Sequence, residues 1–461
     1  MITSASLVNL APVLNVALMG FIVALGPLCW VWLKTRRNHM LYLPDQQALG
    51  TARTADEGLQ QLRSRQRLLL LSQITLFLTF DLLIFGAFTR LTDSGLGCPD
   101  WPGCYGHASP SGADAMIQGA QALMPTGPVT HLKAWIEMIH RYLATGVGVL
   151  ILTIALFTVS QKYPKQLKVE SLIILLWVCV QGAFGAFTVT MRLFPAVVTM
   201  HLLGAIVLLI LLTRYAMAQR AWVDSTLSGL KDVVDHVHRQ SSTDSGYSKH
   251  LDKAAQALSK VSQSSANVDT HPYFYPLLLT GVILVIMQIA LGGWVSTNYA
   301  VTACTSFPMC QNRWWPLMNF AQGFEIWRPL GLTSMGSNID FEALTAIHYT
   351  HRLTAYVVFG FVCALGFVLR RDEKYKTLGQ LLWLLIALQV LTGISNVIFQ
   401  WPLIAAVMHT GGAAALGIVL TVGLMMAKSS PANPNPNPNP TQGHKVGEVD
   451  SQSIDLPKGS L

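Results

Sequence analysis

Eight stretches of this 461-residue chain, about 69–91, 132–159, 170–192, 195–218, 274–297, 343–369, 379–400 and 402–427, are long and apolar enough to cross a bilayer. Crossing takes roughly 20 apolar residues in a helix but only about 9–11 in a strand. Lipid offers the backbone no hydrogen-bond partner, so each run must satisfy its own amides as an α-helix. The chain is therefore expected to be an all-α polytopic membrane protein. Only 12% of its residues are charged, against about 25% in soluble proteins, which argues against an ordinary cytosolic enzyme. The net charge of +8 is not gathered into a basic domain, so a nucleic-acid partner is not expected. A ninth run, Leu7 to Leu33, lacks a basic leader and exceeds the apolar core of a signal peptide, so it reads as a retained helix. Pro12, Gly20, Gly26 and Pro27 interrupt it.

Lysine and arginine set the expected orientation, because cytoplasmic connections carry the excess of them. Segments 34–68, 160–169, 219–272, 370–378 and the tail from Lys428, with Arg214, hold 24 of the 31 basic residues. Leu91 to Thr130 holds none, and 298–342 holds only Arg313 and Arg328. Both long loops are expected outside and the C-terminus in the cytoplasm. Within 219–272, Leu227, Leu230, Val234 and Val237 recur at helical spacing, which predicts a short amphipathic surface helix. The tail repeats Asn-Pro four times from Asn433 to Pro440, a composition without the means to form a core.

The chain also repeats itself. Cys98, Pro102 and Cys104 recur as Cys304, Pro308 and Cys310, each 206 residues later, and Gly86 recurs as Gly292. His140-Arg141 recurs as His351-Arg352 at an offset of 211. Gln181, Gly185, Val189, Met200, His201, Gly204 and Ala205 recur 208 residues later as Gln389, Gly393, Val397, Met408, His409, Gly412 and Ala413. The expected organisation is an N-terminal segment (1–68), a four-helix bundle (69–218), a linker (219–272), a second, pseudo-symmetric bundle (273–427) and a disordered tail (428–461). An even number of spans per half makes the two copies parallel rather than inverted.

Each half carries two intramembrane histidines: His140 and His201 in the first, His351 and His409 in the second. Counted from the helix starts at about 1.5 Å per residue, all four fall roughly 10 Å below one membrane boundary. Two imidazoles at one depth on different helices of a bundle suit bis-histidine or histidine-plus-substrate coordination of haem. Core histidines bonded to neighbouring carbonyls are the plainer alternative, and matched depth in both copies weighs against it. Zinc fits poorly, because neither half offers a compact tetrahedral set.

The copies differ at Glu137, which becomes His348 in the second half. Both lie three residues before a candidate ligand and so share its helix face. Glu137 could accept a proton or stabilise developing positive charge, or it could pair with an arginine; His348 could support its neighbouring histidine. Arg90, Arg141 and Arg352 could bind haem propionates or anchor the membrane interface. Asp81 sits deeper in the first repeat helix without an evident partner. A spacing of six permits a disulfide within each cysteine loop, as a structural staple or as a redox element. Cys29, Cys179 and Cys363 read as small apolar residues.

Taken together, these residues closely resemble the haem A synthase family over about 70–427. The marks are the run from Gly86 to Leu96, the Glu137-to-Arg141 run, His201, His351-Arg352, His409 and both cysteine pairs. The resemblance implies an oxidoreductase of the bacterial cytoplasmic membrane that converts the C8 methyl group of haem O to a formyl group, for terminal oxidase assembly. It implies haem O as substrate between His140 and His201, with Glu137 catalytic. It also implies a resident haem b, its iron held by His351 and His409, and disulfides Cys98–Cys104 and Cys304–Cys310. A haem O synthase, an electron donor, membrane lipid and further copies of the chain are the expected partners. The extra N-terminal segment, the long linker and the Asn-Pro tail depart from the family pattern. The competing reading is a di-haem b-type electron carrier that leaves both haems unmodified, and a haem transporter is a third.

Overall fold

The computed structural model describes residues 11–37, 52–161, 163–240 and 272–428. Its helices are α1 (Ala11–Arg37), α2 (Ala52–Leu91), α3 (Asp114–Leu123), α4 (His131–Ser160), α5 (Lys165–Thr190), α6 (Pro195–Gln240), α7 (Phe274–Thr297), the single turn α8 (Phe320–Gly323), α9 (Phe341–Arg370), α10 (Lys376–Ile398) and α11 (Leu403–Lys428). Among the described residues there is no strand, and nine helices are long and apolar enough to span a membrane. The chain is a multi-pass, all-α membrane protein.

Two helices run further than their apolar stretches. The helix expected from residue 69 begins at Ala52, because Glu57, Leu59, Gln60, Gln61 and Leu62 are strong helix formers. Likewise α6 continues past its apolar part to Gln240. Leu227, Leu230, Val234 and Val237 therefore lie on the last turns of α6 and not on a separate surface helix. The Asn-Pro repeats lie outside the described residues.

In the first half, α2, α4, α5 and α6 each touch two neighbours and close a four-helix ring; α7, α9, α10 and α11 do the same in the second. The halves meet symmetrically. Helix α2 packs on α11 as its copy α7 packs on α6, and α6 meets α11 between them. Leu83, Ile206 and Leu209 of the first half share one core with Leu278, Val362, Leu382 and Leu420 of the second. Apolar burial drives little association in lipid, so close packing and polar contacts must join the halves. Thr199 and Thr297 hydroxyls bond at 3.1 Å across α6 and α7.

A polar latch joins the halves at the cysteine-loop end. Arg90 Nη2 donates to the Ser296 carbonyl at 2.7 Å, and its guanidinium lies 4.2 Å from the Tyr299 ring centroid. The Tyr299 hydroxyl donates to Asp93 at 2.6 Å. Ser296 and Tyr299 are the copies of Arg90 and Asp93 at the 206-residue offset, so the Arg90–Ser296 and Tyr299–Asp93 hydrogen bonds each join a residue to its own repeat position. Such contacts occur only beside the pseudo-two-fold axis.

Helix α1 docks on α4 and α2 through Val16, Gly20, Ala24 and Val31, which are all buried. A Cβ on Gly20 would stand 2.3 Å from Thr145, and one on Gly146 would stand 2.8 Å from Val23. The two backbones can approach this closely only because both positions lack a side chain. Gly26 faces open space. Gly20→Ile should thus cost about 1–3 kcal/mol by overpacking and speed hydrogen exchange through α1. Gly26→Ile should leave exchange unchanged; equal effects would contradict this packing.

Candidate functional site

The four intramembrane histidines sit toward the same end of their helices. His140 and His351 lie within about 15 Å of the starts of α4 and α9, and His201 and His409 within about 9 Å of the starts of α6 and α11. His140 lies within electrostatic range of His201, and His351 within range of His409. The two histidines of each half thus sit on diagonal helices of its four-helix ring.

What lets the imidazoles turn inward is a glycine on the facing helix. A Cβ on Gly86 would lie 3.1 Å from His140 Cε1, and one on Gly292 would lie 2.9 Å from His351 Cε1. The corresponding distances are 3.5 Å from Gly185 to His201 and 3.3 Å from Gly393 to His409. These glycines mark the repeat, but sequence spacing alone does not reveal them as seats for the rings. Phe85 stacks on His140 with centroids 6.1 Å apart and planes 12° from parallel.

The outer nitrogens of the rings differ between the halves. Nδ1 of His409 bonds the Thr392 hydroxyl at 2.9 Å, and Nδ1 of His351 meets the Gln288 side-chain amide at 3.0 Å. Gln288 is itself held by Thr354, whose hydroxyl donates to Oε1 at 2.7 Å. In the first half, Nδ1 of both His140 and His201 is buried without a hydrogen-bond partner. Gln288, Thr354 and Thr392 are site residues that sequence reasoning missed.

A groove of about 540 Å³ between α10 and α11 opens beside His409, lined by Leu391, Thr392, Ser395, Phe399, Pro402 and Met408. Among the described residues no group of three or more His, Cys, Asp and Glu could hold a metal ion. Paired histidines on diagonal helices of each bundle, seated against glycines, are residues that would hold a haem iron.

Both cysteine loops are closed by disulfides, Cys98–Cys104 and Cys304–Cys310, with Cα atoms 4.8 and 4.7 Å apart. Each loop is gripped from below by the arginine that follows its histidine. Arg141 donates to the carbonyls of Asp100, Pro102, Gly103 and Cys98, and it pairs with Glu137. Arg352 donates to the carbonyls of Ser306, Met309 and Cys304. Glu137 also accepts the Cys98 amide at 2.8 Å. In the equivalent place, His348 meets the Ala300 carbonyl at 3.0 Å and accepts from Arg352 Nε at 3.2 Å. Glu137 and His348 therefore each tie a loop to the helix that carries a candidate ligand. Arg90 serves the latch between halves, and Asp81 is exposed on α2.

Glu137 is only 4% exposed, and removing one partner of a buried ion pair costs about 3–5 kcal/mol. Arg141→Met should lose stability on that scale in thermal unfolding. Combining it with Glu137→Gln should recover part of the loss. Strictly additive losses would contradict the pair.

Comparison with known proteins agrees with this architecture. The family model COX15-CtaA, described as cytochrome oxidase assembly protein, matches residues 69–239 and 250–421. A protein of Shewanella oneidensis named Heme A synthase is 37% identical over 352 residues, covering 76% of this chain and 93% of the relative. Proteins of the same name from Mesorhizobium japonicum and Alkalihalophilus pseudofirmus are 26% and 24% identical. The first comparison covers 73% of this chain and 84% of the relative; the second covers 75% and 92%. The chain thus belongs to the COX15-CtaA family of cytochrome oxidase assembly proteins.

Proposed function

We propose that the chain is a haem A synthase, a membrane oxidoreductase that turns the C8 methyl group of haem O into a formyl group. The observation that carries this reading is a pair of histidines on diagonal helices in each half of a chain 37% identical to a Heme A synthase. In this reading His140 and His201 hold haem O, while His351 and His409 hold a resident haem b. Bound haem supplies the redox chemistry of C–H oxidation, for which the protein's side chains have no equivalent.

The chain's own residues do the rest. The imidazoles would hold the haem between diagonal helices, and Gly86, Gly185, Gly292 and Gly393 let the neighbouring helices close against each imidazole. Helices α6 and α11, which carry one ligand of each pair, touch across the interface and bring the two sites together for electron transfer. Glu137 lies one helical turn before His140, its carboxylate held between the Cys98 amide and Arg141. From there a carboxylate oxygen can take a proton released as methyl C–H bonds are cleaved. The cation beside it holds the carboxylate in place for that transfer. The gripped Cys98–Cys104 loop excludes water above the site.

The distribution of lysine and arginine supports cysteine loops outside the cytoplasmic membrane and a cytoplasmic C-terminus. That orientation would take haem O from a haem O synthase within the same membrane and electrons from a separate donor.

The test is co-expression with a haem O synthase, followed by extraction and chromatography of total haem. Haem A should appear only with the chain present. Glu137→Gln, which keeps an acceptor for the Cys98 amide, should retain bound haem and reduce haem A formation at least about 100-fold. Full activity in that variant would remove Glu137 from the chemistry. Bound but unaltered haem O, with an active donor present, would favour a di-haem electron carrier.

A further inference from the structure

The two halves repeat their histidines and glycines but not the groups behind the histidines. In the second half, Thr392 Oγ1 donates its proton to the Leu388 carbonyl at 2.7 Å, so its lone pair is left to accept His409 Nδ1–H at 2.9 Å. That bond fixes the tautomer in which Nε2 is the bare nitrogen, the form that binds iron. The Gln288 amide sits 3.0 Å from His351 Nδ1 and is locked by Thr354. Its nitrogen also donates to the His351 carbonyl at 3.0 Å, so one amide clamps both the ring and the backbone of His351 and fixes the orientation of the imidazole.

At the repeat offsets of 206, 211 and 208, Gln288, Thr354 and Thr392 correspond to Leu82, Leu143 and Phe184. All three polar groups are apolar in the first half. The consequence is visible in the structure, where Nδ1 of His140 and of His201 is buried and unpartnered. A buried nitrogen without a partner costs about 1–3 kcal/mol, so three coordinated losses in one copy call for a reason. A ligand histidine bonded through its far nitrogen is held in one orientation and is more basic, and losing such a partner weakens metal binding about 10–100-fold.

We infer that Gln288 (with Thr354) and Thr392 are positioning residues that make the second-half haem permanent, and that Leu82, Leu143 and Phe184 make the first-half haem exchangeable. This rests on the haem-binding reading above and adds to it the side chains that separate a resident site from a turnover site. A substrate must enter and its product must leave, so its ligands must release it. A resident cofactor carries the opposite requirement. One duplicated scaffold meets both by changing the three side chains at the positions behind its histidines.

The experiment uses the full-length, haem-loaded chain in detergent and follows haem transfer to an excess of a haem-scavenging apoprotein. The wild type should release haem in a fast phase lost in His140→Ala and a slow phase lost in His409→Ala. Gln288→Leu and Thr392→Val should each accelerate the slow phase about 10–100-fold, while Thr392→Ser should keep it slow. The midpoint potential of the haem still bound in Thr392→Val should rise, because a less basic ligand favours the reduced iron; a merely structural defect would leave it unmoved. Leu82→Gln with Leu143→Thr should slow the fast phase. Unchanged slow-phase rates and potential in Gln288→Leu and Thr392→Val would overturn the inference while leaving haem binding intact. A wild-type chain that takes up no haem would instead overturn the reading beneath it.

Discussion

An imidazole turns into the middle of a membrane bundle only where the facing helix leaves room for its ring. Here that room comes from four glycines, each on a helix adjacent to a histidine's, with the missing Cβ positions 2.9–3.5 Å from the ring carbons. At Gly86, Gly292 and Gly393 even one added carbon would press on the ring, which must shift or the helices must part, whereas at Gly185 it would just touch. The remaining architecture follows from these contacts. They set which helices neighbour one another, they keep each four-helix ring tight, and they bring both histidines of a half to one level. Because α6 and α11 each carry a histidine and also form the contact between halves, seating the rings places the two sites side by side.

Two buried arginines complete the frame. Each guanidinium fills its donors with the carbonyls of a disulfide-closed loop, so a turn of backbone that could not lie against lipid is satisfied from within. The loop is thereby fixed over the bundle, and the helix carrying the first histidine of each half is fixed to the loop. Glu137 and His348 belong to this anchorage. In the proposed function Glu137 has a second task, for which its duplicate, an imidazole bonded to the Ala300 carbonyl, is unsuited.

Much of this was legible in the sequence because membrane chains announce their spans and duplications announce their symmetry. The nine helices follow from apolar length, and the four histidines, both cysteine pairs and the glycines at 86, 185, 292 and 393 follow from the three offsets. What could not be read was anything set by side-chain direction. Arg141 and Arg352 were equally suited to propionates or to the interface, and only the fold shows them hooked to loop carbonyls. The polar extension of α2 carried no apolar stripe, and the stripe from Leu227 to Val237 marked a helix without showing that it continues α6. Gln288 and Thr392 fall outside the shared identities of the repeat; comparing the copies for lost identity picks them out against Leu82 and Phe184.

The central claim is that each half grips one haem between its own pair of histidines. The most direct measurement is haem content per purified chain, with low-temperature spectra, for the wild type and for alanine at His140, His201, His351 and His409. The account expects two spectrally distinct populations, with the first-half substitutions removing one and the second-half substitutions removing the other. Haem content unchanged by all four substitutions, or a single haem lost equally from either half, would contradict it.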